Sequence, residues 1–176
     1  MQNTALIGMK NVAIIFPNQL FKNITFEKSE KIYLVEEWLY FNQYRFHKQK
    51  IAFHRATLKF YAAYLTEKGY KVAYINATEQ QADLRKLLAV LKQDGVKKIT
   101  VYKPVDNWLE KRLREEERSF QLNWLENPLF INTDKDLEEY FKKDRRHFHQ
   151  TDFYKQQRKK RQILMDGSQP EGQQWC

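Results

Sequence analysis

The side chains with chemistry to offer sit just beyond short apolar runs: Asn18 and Gln19, Glu36 and Glu37, and Asp106, Asn107 and Trp108. In layered α/β folds, ligands bind outside the carboxyl ends of the strands, so these follow-on residues are the ones to read. Amides and carboxylates there can orient a polar ligand, although Asn18 and Gln19 also suit a turn that satisfies backbone groups. Glu36 beside Glu37 reads as a strand-end surface pair. Neighbours on a strand point to opposite faces, so the two cannot form a catalytic dyad. His47 and His54 lie about 10 Å apart along a helix axis, too far for one metal ion. None of the three serines stands in G-x-S-x-G, which leaves a serine hydrolase without support. With five glycines and neither G-x-G-x-x-G nor a Walker A pattern, a standard dinucleotide or NTPase site is disfavoured. Trp38, Trp108 and Trp124 read as packing residues.

The elements that must position these groups follow from periodicity. Asn11 to Phe16 and Ile32 to Val35 are short β-rich runs that predict buried strands. Ile51, Leu58, Tyr61, Ala62 and Leu65 recur at helical spacing between Lys48 and Lys68, which predicts an amphipathic helix packed on a sheet. Gly69 and Gly95 each mark a helix stop followed by a strand, Tyr70 to Ile75 and Lys98 to Tyr102. Leu84, Leu87, Leu88 and Leu91 form a second helical stripe. A third helix is expected from Asp106 to Arg118, a strand from Phe120 to Trp124, and a capped helix from Thr133 to Lys143. The alternation predicts an α/β, Rossmann-like layered fold with a mainly parallel five-stranded sheet flanked by helices.

Length, at 176 residues, suits one compact core. The single cysteine, Cys176, excludes an intramolecular disulfide and an iron–sulfur cluster built from this chain alone. The longest apolar run, Val12 to Phe16, is far short of the roughly 20 residues of a membrane-spanning helix, and Met1 to Lys10 lacks the pattern of a signal peptide. A reducing cytoplasm is the expected compartment. Of the net charge of +9, residues 145–161 carry +6, seven Lys or Arg against Asp152. Lys155, Arg158, Lys159, Lys160 and Arg161 on one helix could neutralise nucleic-acid phosphates, or form a solvated or interdomain face.

Several stretches, in order, resemble the photolyase-related branch of the cryptochrome/photolyase family. Asn18-Gln19-Leu20 follows the first strand where that family has Gly-Asp-Gln-Leu, and Glu36 ends the second strand. His47-Lys48-Gln49-Lys50-Ile51-Ala52-Phe53 matches the family's His-x-x-Lys-Ile-Ala-Phe. Leu164-Met165-Asp166-Gly167 and Pro170-Glu171-Gly172-Gln173-Gln174-Trp175 match the family's junction into a helical flavin domain. The resemblance implies residues 1–10 as a leader, 11–144 as an antenna domain, and 145–176 as a basic helix and connector toward a helical FAD domain. It implies an antenna chromophore, commonly 6,7-dimethyl-8-ribityllumazine, held by loops around Asn18, Gln19, Glu36, Tyr40, His47, Lys50, Ile51 and His54. A flat heterocycle needs apolar faces to stack on and a few polar groups to orient its edge, which this set can supply. Pro17-Asn18, Tyr40 and His54 depart from the family pattern and imply a bulkier pocket. FAD, any iron–sulfur cluster and DNA recognition belong, in the family, to the helical half. The chain is therefore expected not to repair DNA alone, although full-length relatives are DNA photolyases. A free-standing nucleotide or small-molecule binding α/β domain and a nucleic-acid-binding module using the basic element of residues 145–161 are the competing expectations.

Overall fold

The computed structural model describes residues 10–144 and 146–175. The expected leader apart from Lys10, together with Arg145 of the basic element and the terminal Cys176, lies outside the described residues. Two compact units are present, one ending at Pro128 and the other starting at Leu129.

The first unit is built on five parallel strands: β1 (Lys10–Ile15), β2 (Lys31–Val35), β3 (Lys71–Ile75), β4 (Val96–Tyr102) and β5 (Gln121–Leu125). Their order is β3-β2-β1-β4-β5, with every pairing parallel. Four helices accompany them: α1 (Trp38–Phe41), α2 (Lys48–Glu67), α3 (Leu84–Gln93) and α4 (Asn107–Glu115). A strand buried on both faces can be apolar at every position, which is why β1 reads as a continuous run. Ala13 and Ile15 pack in one cluster with Leu58, Tyr61 and Leu65 of α2. Val12, Ile14 and Phe16 turn to the other face, among Leu87, Leu88 and Leu91 of α3 and Leu109 and Leu113 of α4. Sequence periodicity thus recovers the layered α/β architecture and its five strands.

Helix ends follow side-chain chemistry. Gly69 (φ +82°) and Gly95 (φ +76°) take the left-handed conformation just past α2 and α3, where a Cβ would be strained. Asp83 and Asp106 accept from backbone N–H groups at the starts of α3 and α4. The third predicted helix ends at Glu115, three residues short of expectation. Helix α1 has no counterpart in the sequence reading, because four residues are too few to show a period.

The second unit contains α5 (Asp134–Tyr140), α6 (Gln150–Arg161) and a small antiparallel hairpin of β6 (Met165–Asp166) and β7 (Gln169–Pro170). Thr133 and Asp136 form the reciprocal capping box expected at the start of α5. Tyr140, Phe141, Phe148 and Phe153 cluster, with ring centroids 4.9–6.5 Å apart. No helix among the described residues is long and apolar enough to cross a membrane.

Leu58 is fully buried between α2 and the sheet. Leu58→Ala is expected to destabilise the chain by about 3 kcal/mol, measured as a lower midpoint in urea unfolding with an unchanged m-value.

Candidate functional site

The strand order reverses between β1 and β4, and a crevice at the carboxyl edge of the sheet is expected there. Gln19 occupies that point. Its side-chain oxygen accepts from the Phe16 N–H at 3.2 Å, and its amide nitrogen donates to the Tyr102 carbonyl at 2.9 Å. The residue is fully buried, so this amide ties the end of β1 to the end of β4. The Tyr102 ring packs edge-on against Phe21 at 4.9 Å, and its hydroxyl accepts from the Thr25 N–H, so the segment after Gln19 is anchored to the same strand. Next to this tie, the side-chain oxygen of Asn18 is shielded from solvent and has no hydrogen-bond donor. A buried, unpaired amide oxygen costs roughly 1–3 kcal/mol.

Glu36 and Glu37 are both completely buried, which overturns their reading as a surface pair. Their opposite directions hold. Glu36 faces α2 and the end of β3: Arg55 donates to both carboxylate oxygens at 2.7 and 2.6 Å, the Tyr74 hydroxyl donates at 2.6 Å, and the Ala77 N–H at 2.8 Å. Burial pushes this carboxyl up, but the Arg55, Tyr74 and Ala77 donors more than offset it and leave the group below its ordinary value. Glu36 is thus fully engaged within the fold, and its carboxylate fixes the orientation of the Arg55 guanidinium.

Glu37 faces the opposite layer. It caps α1 by accepting from the Leu39 N–H at 2.5 Å, and it also takes the Leu84 N–H at 3.4 Å and Arg112 at 3.2 Å. Arg112 in turn lies 3.9 Å from Asp83. Burial dominates here and raises the Glu37 carboxyl to about 7, against the Leu39 and Leu84 amides and Arg112. Tyr40 lies close by, its hydroxyl pushed up by burial and by the charges of Asp106 and Glu37.

The remaining predicted residues lie on α1, α2 and the segment entering α2. His47 is the N-cap of α2, its Nδ1 accepting from the Gln49 N–H at 3.2 Å. The Lys50 ammonium lies 3.9 Å from the Phe46 ring centroid. Ile51 is half-buried in the α2-side core. His54 packs against Tyr40 and Phe41, each with a centroid separation of 6.2 Å, and burial together with Lys50 lowers its imidazole pKa. Tyr40 and His54 therefore meet edge to face, while the structure places His47 at the N-terminal end of α2 as a cap. Trp108, read as a packing residue, is 61% exposed at the start of α4. Its signal was present in the sequence: it stands two residues after the helix cap Asp106, in the segment that follows a strand's carboxyl end.

The basic helix is held mostly by its own unit. Arg158 is buried, donating to the carbonyls of Ile163, Leu164 and Trp175 and to the Tyr154 hydroxyl. Lys160 pairs with Asp136 and Glu139 at 2.7 Å, and Arg161 with Asp136 at 2.6 Å. Lys155 and Lys159 lie 5.6 and 5.2 Å from the Trp175 ring centroid. Three of the five cations proposed for phosphate contact are thus engaged by partners inside the second unit.

Comparison with known proteins places these features in a lineage. The family described as deoxyribodipyrimidine photo-lyase-related protein matches residues 13–176. An uncharacterized protein of Acanthamoeba polyphaga mimivirus is 36% identical over 178 aligned positions, covering 93% of this chain and 89% of the viral one. The chain belongs to the deoxyribodipyrimidine photo-lyase-related family.

Glu37 provides a test of the buried pair. Its folded value, about 7, lies above the ordinary 4.5, so the folded state holds the proton more tightly. The associated stability is complete below pH 4.5 and is lost as pH rises through 7. Unfolding free energies of wild type and Glu37→Gln, compared from pH 5 to pH 8, should move in favour of the variant by roughly 3 kcal/mol.

Proposed function

We propose that the first unit is an antenna-type domain of a light-dependent flavoprotein. In this reading it holds a lumazine-class heterocycle, such as 6,7-dimethyl-8-ribityllumazine, at the carboxyl edge of its sheet. Membership of the photo-lyase-related family supports this reading. The observation that carries the site is the side-chain oxygen of Asn18, buried without a donor beside the β1–β4 tie. A ligand N–H or ribityl hydroxyl would satisfy it, and an unpaired acceptor suits such a donor better than an anionic phosphate oxygen. Lys50 and the neutral His54 would orient the ligand edge, while Ile51 and Tyr40 would offer apolar faces. Gln19 and Glu36 would act by holding the loop and Arg55 in place.

The bound heterocycle would supply light absorption and pass its excitation to a flavin. That flavin, and any contact with damaged DNA, would reside in a helical FAD domain acting with this one. The engagement of Arg158, Lys160 and Arg161 within the second unit speaks against the basic helix as an independent nucleic-acid module.

The test is a fluorescence titration with 6,7-dimethyl-8-ribityllumazine, with FAD as control. Saturable lumazine binding and no FAD binding are expected. Asn18→Ala should weaken the lumazine about five- to tenfold, the loss of one buried hydrogen bond. Absence of lumazine binding by the folded wild-type chain would falsify the assignment.

A further inference from the structure

Helix α2 carries a second apolar stripe that the core does not use. Its inward face is Leu58, Tyr61 and Leu65. On the outward face, Gln49, Phe53, Ala56, Phe60, Ala63 and Glu67 recur at alternating spacings of four and three residues, and all six are exposed. Phe53 and Phe60 stand 66% and 76% exposed. This spacing keeps one seam along a helix and is the pattern of helix-to-helix packing.

The order of sizes along the seam is large, small, large, small, and it is self-complementary. A two-fold axis at the level of Leu58 sets Phe53 of one copy opposite Ala63 of the other and Ala56 opposite Phe60. Each ring then meets a methyl-sized gap, four times over. The same operation brings Glu67 against Gln49 and next to Lys48 of the second copy, and it runs the helix dipoles antiparallel.

The flanking polar groups are already satisfied inside each copy. The Thr57 hydroxyl donates to the Phe53 carbonyl and the Thr66 hydroxyl to the Ala62 carbonyl, both at 2.9 Å. The Lys59 ammonium is drawn 3.7 Å from the Tyr74 ring centroid, and that of Lys68 lies over Tyr64. Closing the seam therefore strands no donor.

We infer that this chain forms an antiparallel two-fold dimer through the outer face of α2, with Phe53 and Phe60 of each copy seated on Ala63 and Ala56 of the other. Four phenylalanines with their neighbouring stems bury on the order of 1,000 Å² in total, at the low end for a specific interface, so association in the micromolar range is expected.

Sedimentation equilibrium under reducing conditions, which keeps Cys176 from cross-linking, tests the register directly. The wild-type mass should rise from monomer to dimer between about 1 and 200 µM. Ala56→Phe, which sets ring against ring, and Phe60→Ala, which sets gap against gap, should each weaken association about tenfold or more. The double variant Ala56→Phe/Phe60→Ala again sets each ring against a gap across the axis and should recover to within about threefold of wild type. Both positions of exchange are at the surface, and far-UV circular dichroism confirms that each variant folds. A wild-type chain that stays monomeric throughout the range overturns the dimer. Association indifferent to both single exchanges overturns this face, and failure of the folded double variant to recover overturns the register.

Discussion

A carboxylate taken completely out of water must be met by donors or surrender its charge, and β2 ends in two of them. Because successive strand residues point to opposite faces, Glu36 and Glu37 impose that demand on both layers at once. On one side the demand is met by Arg55 from α2, Tyr74 from β3 and the Ala77 amide that follows it. On the other side it is met by the Leu39 amide of α1, the Leu84 amide of α3 and Arg112 from α4. Every helix of the first unit is therefore tethered to the end of one strand. The two solutions differ in quality. Glu36 has a bidentate guanidinium and two further donors and stays ionised. Glu37 has one short amide contact, from Leu39, but its other donors stand at 3.2 and 3.4 Å and its arginine is shared with Asp83, so burial prevails and its proton is held near neutrality.

The carboxyl edge of the sheet owes its form to the same economy of partners. Gln19 spends its amide on joining β1 to β4, which fixes the loop but consumes the group. Asn18, one residue earlier, is left with an acceptor facing no donor. Among the described residues of the first unit it is the one buried side-chain polar atom without a partner, Gln157 and Arg161 holding the others in the second unit, and that makes it informative. It is the feature of this edge on which the proposed heterocycle site rests.

The layered sheet was legible in the sequence because its signals are local: β-rich runs, leucine stripes, glycines after helices. The capping box at Thr133 and Asp136 was legible for the same reason. The burial of Glu36 and Glu37 was not, since their partners Arg55 and Arg112 lie 19 and 75 residues away and nothing local announces them. The basic helix misled in the same manner. Its charges look free along the sequence, yet the fold brings Asp136 and Glu139 to Lys160 and wraps the chain end around Arg158. Trp108 erred in the other direction, because a tryptophan is buried more often than not and only its position after a helix cap argues otherwise. Candidate site residues were legible as types at strand ends; which of them retain unspent hydrogen-bonding capacity was set by contacts distant in sequence.

Placing β1 at the centre of the sheet has a consequence for synthesis. Its partner on one side, β2, follows within about 20 residues, but the partner on the other side ends at Tyr102, and the Gln19 tie to that residue spans 83 positions. Closing so long a loop is entropically unfavourable until the contacts that reward it exist. As the chain leaves the ribosome, β1, β2, α2 and β3 can assemble while the other edge of β1 stays unpaired and apolar. That open edge is a template for pairing with another nascent chain until β4 arrives. The central strand is thus the first to be made and among the last to be protected.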